Sequence, residues 1–259
     1  MPVFYDQLNR AVTLASVPKR IISIVPSQTE LLFYLELDDA IAGITRFCIH
    51  PQNKVKRVAR IGGTKQLNMQ LIHELQPDLI IANKEENEQT QVEELMTLYP
   101  VWVSDINDLA SALDMVNKVG ELTGKKTEAN ELSNNIQQQF NLLKPSDKKL
   151  RVAYLIWRKP YMVAGMGTFI NEMLRLCGFI NAFDNDRYPQ ITPDGLVNAR
   201  PDVILLSSEP YPFAQRHIAE FEELLPDTKI ILVDGEMFSW YGSRLLYAPA
   251  FFNELISSL

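Results

Sequence analysis

Short apolar runs of β type alternate with helical patterns along the whole chain, and this alternation narrows the possible folds more than any other feature. In the first half the runs are Ile21 to Val25, Ile41 to Ile44, Leu79 to Ala82 and Val101 to Val103. In the second half they are Arg151 to Trp157, Val203 to Leu206 and Ile230 to Val233. Runs this short and this continuously apolar suit strands covered on both faces, as in a parallel sheet. Their interleaving with helices predicts α/β architecture.

Helix starts are marked. Ser27-Gln28-Thr29-Glu30 reads as a capping box, with the Ser27 hydroxyl and the Glu30 carboxylate answering free backbone donors. Thr192-Pro193-Asp194 sets a capping residue before a proline at the first helical position. The segment from Glu74 to Ile81 is echoed by Asn198 to Leu205. In each, a helix end meets Pro-Asp and enters a strand, which suggests two similar halves, although such punctuation also recurs in α/β folds generally. Between the halves Lys126 to Leu143 has a helical pattern, with Ala129, Leu132, Ile136 and Phe140 on one stripe. Such a helix is about 27 Å long.

These signals predict two Rossmann-like α/β lobes with mainly parallel sheets, joined by a single long backbone helix. The expected divisions are 1–124 for the N-terminal lobe, 125–145 for the linking helix and 146–259 for the C-terminal lobe. A helical connection is stiffer than hinge strands, so lobe motion is expected to be small.

A net charge of −7 argues against nucleic acid as partner. The two cysteines, Cys48 and Cys177, lie in different halves and make no disulfide framework. No apolar run approaches the roughly 20 residues that span a bilayer. The opening residues lack a basic stretch followed by a long apolar run, so the chain as written reads as cytoplasmic. A trimmed leader would move that expectation to the periplasm or the cell surface.

In open α/β sheets ligands bind beyond the carboxyl ends of the strands. The informative residues are therefore those just after each run. In the first half these include Phe47, Cys48 and His50, then Lys84 and Glu85. In the second half they include Trp157 and Arg158, Glu209, Glu236, Trp240 and Tyr241, with Arg244 just beyond. Aromatic faces mixed with a few charges suit a large planar or amphipathic ligand. Each residue alone also reads as part of a solvated rim.

Cys48 and His50 lie two apart and, on an extended segment, would face the same way. That pair suits a soft or borderline metal, or the metal of a bound chelate. No further ligands follow at zinc-site spacing, so no protein-built metal site is expected. A Cys48-His50 catalytic pair would need an orienting partner and an oxyanion hole, and neither is marked. His73 and His217 read as surface or boundary histidines. No phosphate loop and no dinucleotide fingerprint occur.

From Arg20 to Leu32 (RIISIVPSQTELL) the sequence resembles the opening of the helical-backbone metal receptor family, the substrate-binding proteins of cobalamin, iron-siderophore and heme importers. The resemblance continues through Gln76 to Ala82, Leu174 to Phe183 and Arg200 to Leu205, covers nearly the whole chain, and is nearest the cobalamin branch. It implies two α/β lobes on one long helix, a shallow cleft between them and little closure. It implies that Trp240 packs against the ligand, that Asn83 replaces a cleft tryptophan, and that His50 stands where tyrosine is usual. It also implies docking on an importer through one acid per lobe. Glu223 matches the second-lobe position, and the first falls at Gln89 with Glu88 beside it.

The expected function is an ABC-transporter-type binding protein for a metal chelate: cobalamin or another corrinoid, heme, or a ferric siderophore. No tightly bound cofactor and no catalytic residue are expected, and the importer's membrane subunits are the expected partners. The alternative is a cytoplasmic relative that senses, stores or enzymatically processes such a ligand through Cys48 and His50.

Overall fold

The computed structural model describes residues 1–259. The chain forms two compact units. The first comprises Met1–Ile106, Ala110–Gln137 and Tyr241–Arg244; the second comprises Asn107–Leu109, Gln138–Trp240 and Leu245–Leu259. No helix is long and apolar enough to cross a membrane.

The first unit opens on a hairpin of β1 (Val3–Tyr5) and β2 (Ala11–Thr13). Its turn is organised by the buried Asp6 carboxylate, which accepts from the backbone N–H groups of Leu8 (2.9 Å) and Arg10 (2.8 Å) and from the Arg10 guanidinium. Strands of three residues carry too little alternation to stand out in the sequence. There follow β3 (Ile21–Ser23), α1 (Pro26–Tyr34), β4 (Ile41–Ile44), α2 (Gln52–Val55), β5 (Ala59–Arg60), α3 (Met69–Leu75), β6 (Leu79–Asn83), α4 (Gln89–Met96) and β7 (Val101–Ser104). The five strands from β3 to β7 form one sheet in the order β5-β4-β3-β6-β7, every neighbour parallel. Ile22, Ile24, Ile80, Ala82, Val101 and Val103 bury one face of it against Ile72, Val92 and Leu95 from α3 and α4.

Two helices close this part of the chain, α5 (Leu109–Thr123) and α6 (Lys126–Asn141). The helix expected from Lys126 is present as α6 and stops two residues short of Leu143. Its stripe is buried, with Ala129, Leu132, Ile136 and Phe140 all in the core. Gly124 makes the turn between α5 and α6 at φ +74°, a conformation that favours glycine. Gly120 on α5 lies directly against Ala129 on α6, so a larger residue there would collide with the neighbouring helix.

The expected capping box at Ser27 is not formed. α1 begins at Pro26, with Val25 as its cap and no side-chain capping bond. Proline, with φ preset for the first helical position, starts the helix a residue early. Ser27 thus lies inside the first turn, and its hydroxyl has no partner. Glu30 instead pairs with Arg244.

The second unit contains β8 (Arg151–Trp157), β9 (Tyr161–Val163), α7 (Phe169–Leu176), β10 (Ile180–Asn181), β11 (Gln190–Ile191), α8 (Pro193–Ala199), β12 (Val203–Ser207), α9 (Ile218–Leu224), β13 (Lys229–Val233), α10 (Gly235–Ser239) and α11 (Ala248–Ser258). The sheet order is β11-β9-β8-β12-β13, with β10 beside the start of β8. β8, β10, β12 and β13 run parallel, and β9 and β11 are antiparallel additions at the edge. The core gathers Ala153, Leu155, Ile204, Leu206, Phe213 and Phe221. Thr192 caps α8 as expected, accepting from Gly195 N–H at 3.0 Å with Pro193 at the first helical position.

The Pro-Asp echo is structural. Gln76 (φ 46°) and Arg200 (φ 47°) both end a helix in the left-handed region. The Asp78 carboxylate accepts from the backbone N–H of Lys19 (2.8 Å) and Arg20 (2.9 Å) at the entry to β3. The Asp202 carboxylate accepts from Arg151 N–H (2.7 Å) at the entry to β8. In return Arg20 donates to the Leu75 carbonyl and Arg151 to the Ala199 carbonyl, at matching places at the ends of α3 and α8. We therefore expect Asp78→Ala and Asp202→Ala each to lower stability by about 1 kcal/mol, as a shift of the urea midpoint. Unchanged midpoints would show that the clamp contributes nothing.

Candidate functional site

At the strand tips of the first unit the chain is bonded largely to itself. β3 and β6 are neighbours where the strand order reverses, the usual place for a ligand in such sheets. Here Gln28, Asn83, Asn87 and Ser104 are all buried. Gln28 donates to Ser104 Oγ, as does Asn83 Nδ2 at 3.0 Å. Asn83 Oδ1 accepts from Glu85 N–H (2.8 Å) and Glu86 N–H (3.0 Å). Asn87 ties the turn to Ile24 and Thr64 through their carbonyls, at 3.0 and 3.1 Å. Asn83, where the resemblance places a tryptophan in relatives, thus shapes a turn from inside it.

Around this network stand the predicted residues. Lys84 forms an ion pair with Asp105 at 2.6 Å. Glu85 is partly buried, and its carbonyl accepts from Lys65 Nζ at 2.7 Å. Tyr241 is buried and donates its hydroxyl to Glu86. Arg244 grips both oxygens of Glu30, at 3.0 and 2.6 Å, with both side chains mostly shielded. Between Tyr241 and Arg244, Gly242 (φ +112°) lies against Leu31 and the Ser27 carbonyl. Tyr241 and Arg244 are therefore bonded within the first unit.

Phe47 is 48% exposed, with the Arg46 guanidinium 5.0 Å from its ring centre, a cation–π arrangement. Cys48 is fully buried, and its Sγ lies 3.1 Å from Thr29 Oγ1 and 3.2 Å from Thr45 Oγ1. Burial pushes this thiol above its ordinary value against the lowering effect of the two threonines. The segment after β4 is a turn, with Cys48 N–H bonded to the Thr45 carbonyl, so the extended geometry expected to align Cys48 with His50 is absent. Cys48 belongs to the core, while His50 is partly exposed. No group of three or more His, Cys, Asp or Glu side chains is placed to hold a metal ion.

The second unit presents a different chemistry at its strand tips. Trp157 is 39% exposed and meets Tyr211 edge-on, ring centres 5.8 Å apart. Arg158 pairs with Glu220 at 2.6 Å, and Tyr161 donates to the same carboxylate. Burial tends to raise Glu220, but the bonds from Arg158 and Tyr161 outweigh it and hold the carboxyl below its ordinary value. Tyr161 is pushed up to about 12 by burial and by its bond to Glu220. His217, expected at the surface or its boundary, is buried between Tyr211 and Phe213. Its Nδ1 accepts from Ala214 N–H at 2.9 Å, and burial, then Arg216 and Arg158, lower its pKa. Its place before α9 seemed exposed in the sequence because the aromatic partners belong to the preceding loop.

Glu209, after β12, is partly buried. Its Oε1 accepts from Ser239 Oγ–H (2.6 Å) and from Trp240 Nε1–H (2.8 Å). Burial raises its pKa, and the nearby acids Glu236 and Asp234 add to the rise. Trp240 is only 6% exposed. Glu236 is partly buried at the start of α10, where Asp234 caps its N–H at 3.1 Å. Sequence reasoning missed Glu30, Tyr161 and Glu220, which act through partners 59 to 214 residues away. No local pattern marks such pairs.

The sequence pattern of the periplasmic binding protein family matches residues 21–225. The chain belongs to that family. It is 23% identical over 244 residues to a vitamin B12-binding protein of Pectobacterium atrosepticum, covering 90% of this chain and 86% of that one. It is 27% identical over 213 residues to the uncharacterized ABC transporter substrate-binding lipoprotein YvrC of Bacillus subtilis, covering 77% of this chain and 67% of that one. Its fold is similar to that of the periplasmic heme-binding protein RhuT from Roseiflexus sp. RS-1 in apo form, with TM-score 0.78, 19% identity, and 93% and 97% of the two chains covered. These relatives are binding proteins by name, and the two-lobed α/β expectation is met.

A buried, raised thiol reacts slowly with disulfide reagents. Native protein should leave both Cys48 and Cys177 unmodified over minutes and release two thiols on unfolding in urea. Immediate reaction of one thiol in the native state would contradict the core placement of that residue.

Proposed function

We propose that the chain is the substrate-binding component of an ABC importer, takes a metal chelate at its strand-tip residues, and carries out no catalysis. The observation that carries this reading is an exposed ring with an arginine beside it at the strand tips of each unit. These are Phe47, with the Arg46 guanidinium 5.0 Å from its ring centre, and Trp157, with Arg158 next in sequence and paired with Glu220. Apolar faces with cations close by in the chain suit a large ring system that bears polar or acidic substituents. Family membership and the B12-binding and heme-binding names of similar proteins support a ligand of the corrinoid, heme or ferric siderophore class.

In this reading Phe47, Trp157 and Trp240 supply apolar contact, while His50, Lys84, Glu85, Arg158, Glu209 and Glu236 supply the polar ones. Tyr241 and Arg244 hold the first unit's rim through Glu86 and Glu30. The periplasmic and lipoprotein names of the relatives support a place in the cell envelope, outside the cytoplasmic membrane. Glu88 at the start of α4 and Glu223 on α9 are exposed, as docking acids must be. The competing enzymatic reading loses its nucleophile, because burial disfavours the Cys48 thiolate.

Cyanocobalamin, hemin and a ferric siderophore should be titrated in turn. The cognate chelate should raise Tm by about 5 °C or more at a hundredfold excess over Kd. A flat response to all three would reject the ligand class. Glu223→Lys should leave the affinity of purified protein unchanged and lower cellular uptake of the labelled ligand about tenfold. Unchanged uptake would remove Glu223 from the docking surface.

A further inference from the structure

Glu209 has an unusual set of neighbours for a partly buried carboxylate. Its direct partners, Ser239 Oγ–H and Trp240 Nε1–H, are neutral donors. The charged groups that act on it from the β13–α10 side are the acids Asp234 and Glu236. From β8 the hydroxyl of Tyr154 donates to Ser207 Oγ (3.1 Å), and Ser207 in turn donates to the Glu209 carbonyl (2.6 Å). The loop is moulded around this side chain: a Cβ at Gly235 would lie 2.7 Å from Glu209 Cγ and also strike Ser207 Oγ. Ionised, such a carboxylate costs stability. A glutamine of the same shape could accept the same two bonds without that cost.

We infer that Glu209 is a positioning residue for ligand binding, fixing the plane of the Trp240 indole at the rim and coupling ligand affinity to its own protonation. The inference rests on the reading of the strand tips as the ligand site. An indole has one N–H, and a bond through it restricts rotation of the ring. Ser239 holds the carboxylate oxygen that receives that bond. When Glu209 takes up a proton, the charge-assisted bond becomes a neutral one of roughly half the strength. The ring is then held less firmly in its plane.

The test uses the full chain and the variants Glu209→Gln, Glu209→Ala and Trp240→Phe. In ligand-free protein, tryptophan emission should change with a midpoint above the ordinary carboxylate range. That transition should vanish in Glu209→Gln and in Trp240→Phe, which assigns it among the three tryptophans. Affinity for whichever of cyanocobalamin, hemin or a ferric siderophore binds should fall about tenfold as pH drops through the same midpoint. Glu209→Gln, a neutral acceptor like the protonated acid, should bind with no pH dependence at the weaker level that wild type reaches in acid, and Glu209→Ala no more tightly than that at any pH.

Stability gives a further readout. A carboxyl raised by folding contributes stability below its unfolded pKa and loses it as pH rises through the folded value. Glu209→Gln should therefore melt above wild type at pH 8, the gap closing in acid. Ligand binding that is equally strong in all Glu209 variants and flat with pH overturns the inference and leaves the ligand reading standing. If none of the three probes binds, the ligand reading fails. The positioning claim then rests on the ligand-free spectra, and identical emission in wild type, Glu209→Gln and Glu209→Ala overturns it.

Discussion

The strand tips of both units depend on an aspartate at the opposite end of the sheet. Asp78 accepts two backbone N–H groups and Asp202 one at the start of the neighbouring strand, and each follows a left-handed residue and a proline that end a helix. This clamp sets β3 against β6 with Ile21 opposite Leu79, and β8 against β12 with Val152 opposite Val203. A slip of one residue in either pair would turn every side chain to the other face of its sheet. It would also move the last residue of the strand away from the rim. The chemistry beyond Ser23, Asn83, Trp157 and Ser207 thus inherits its position from bonds made at the strand entries.

Given equivalent frames, the two units use their tips differently. The first fills the place where its strand order reverses with Gln28, Asn83, Asn87 and Ser104, bonded to one another and to the backbone. Of this network only the Gln28 side-chain oxygen lacks a partner, and buried bonds of this kind rigidify the site. The exposed chemistry is left to Phe47, Arg46 and the Lys84–Asp105 pair. In the second unit the equivalent loops carry the acids Glu209, Asp234 and Glu236, and a layer of rings from Trp157 through Tyr211, Phe213 and His217. A shared fold therefore does not by itself give a shared ligand surface.

Much of the frame was legible in the sequence because it depends on short-range regularities. Apolar runs from Ile41 to Ile44 and Arg151 to Trp157 coincide with strands, the stripe on α6 is buried, and Thr192 caps α8. Errors arose where a local motif had a stronger competitor. Ser27 lost its capping role to Pro26, and Cys48 was turned inward by a tight bend that the spacing to His50 does not reveal. The site was legible only as a set of loops. Which groups pair within it depends on partners far apart in sequence, as with Arg158 and Glu220 or Arg244 and Glu30, and no periodicity encodes those distances.

Residues Tyr241–Arg244 group with the first unit, while the chain on either side of them groups with the second. The first unit is thus discontinuous, and Glu30 and Glu86 take their partners from a segment 214 and 155 residues further along the chain. Domains generally fold as units, the N-terminal one first as the chain emerges. Here the N-terminal unit can assemble its sheet early, but it completes its last salt link only after the ribosome has added residue 244. Without Tyr241 and Arg244, the Glu86 and Glu30 carboxylates would lose these bonds. The first unit thus builds its sheet from neighbouring stretches of chain but borrows its last ion pair from a distant one.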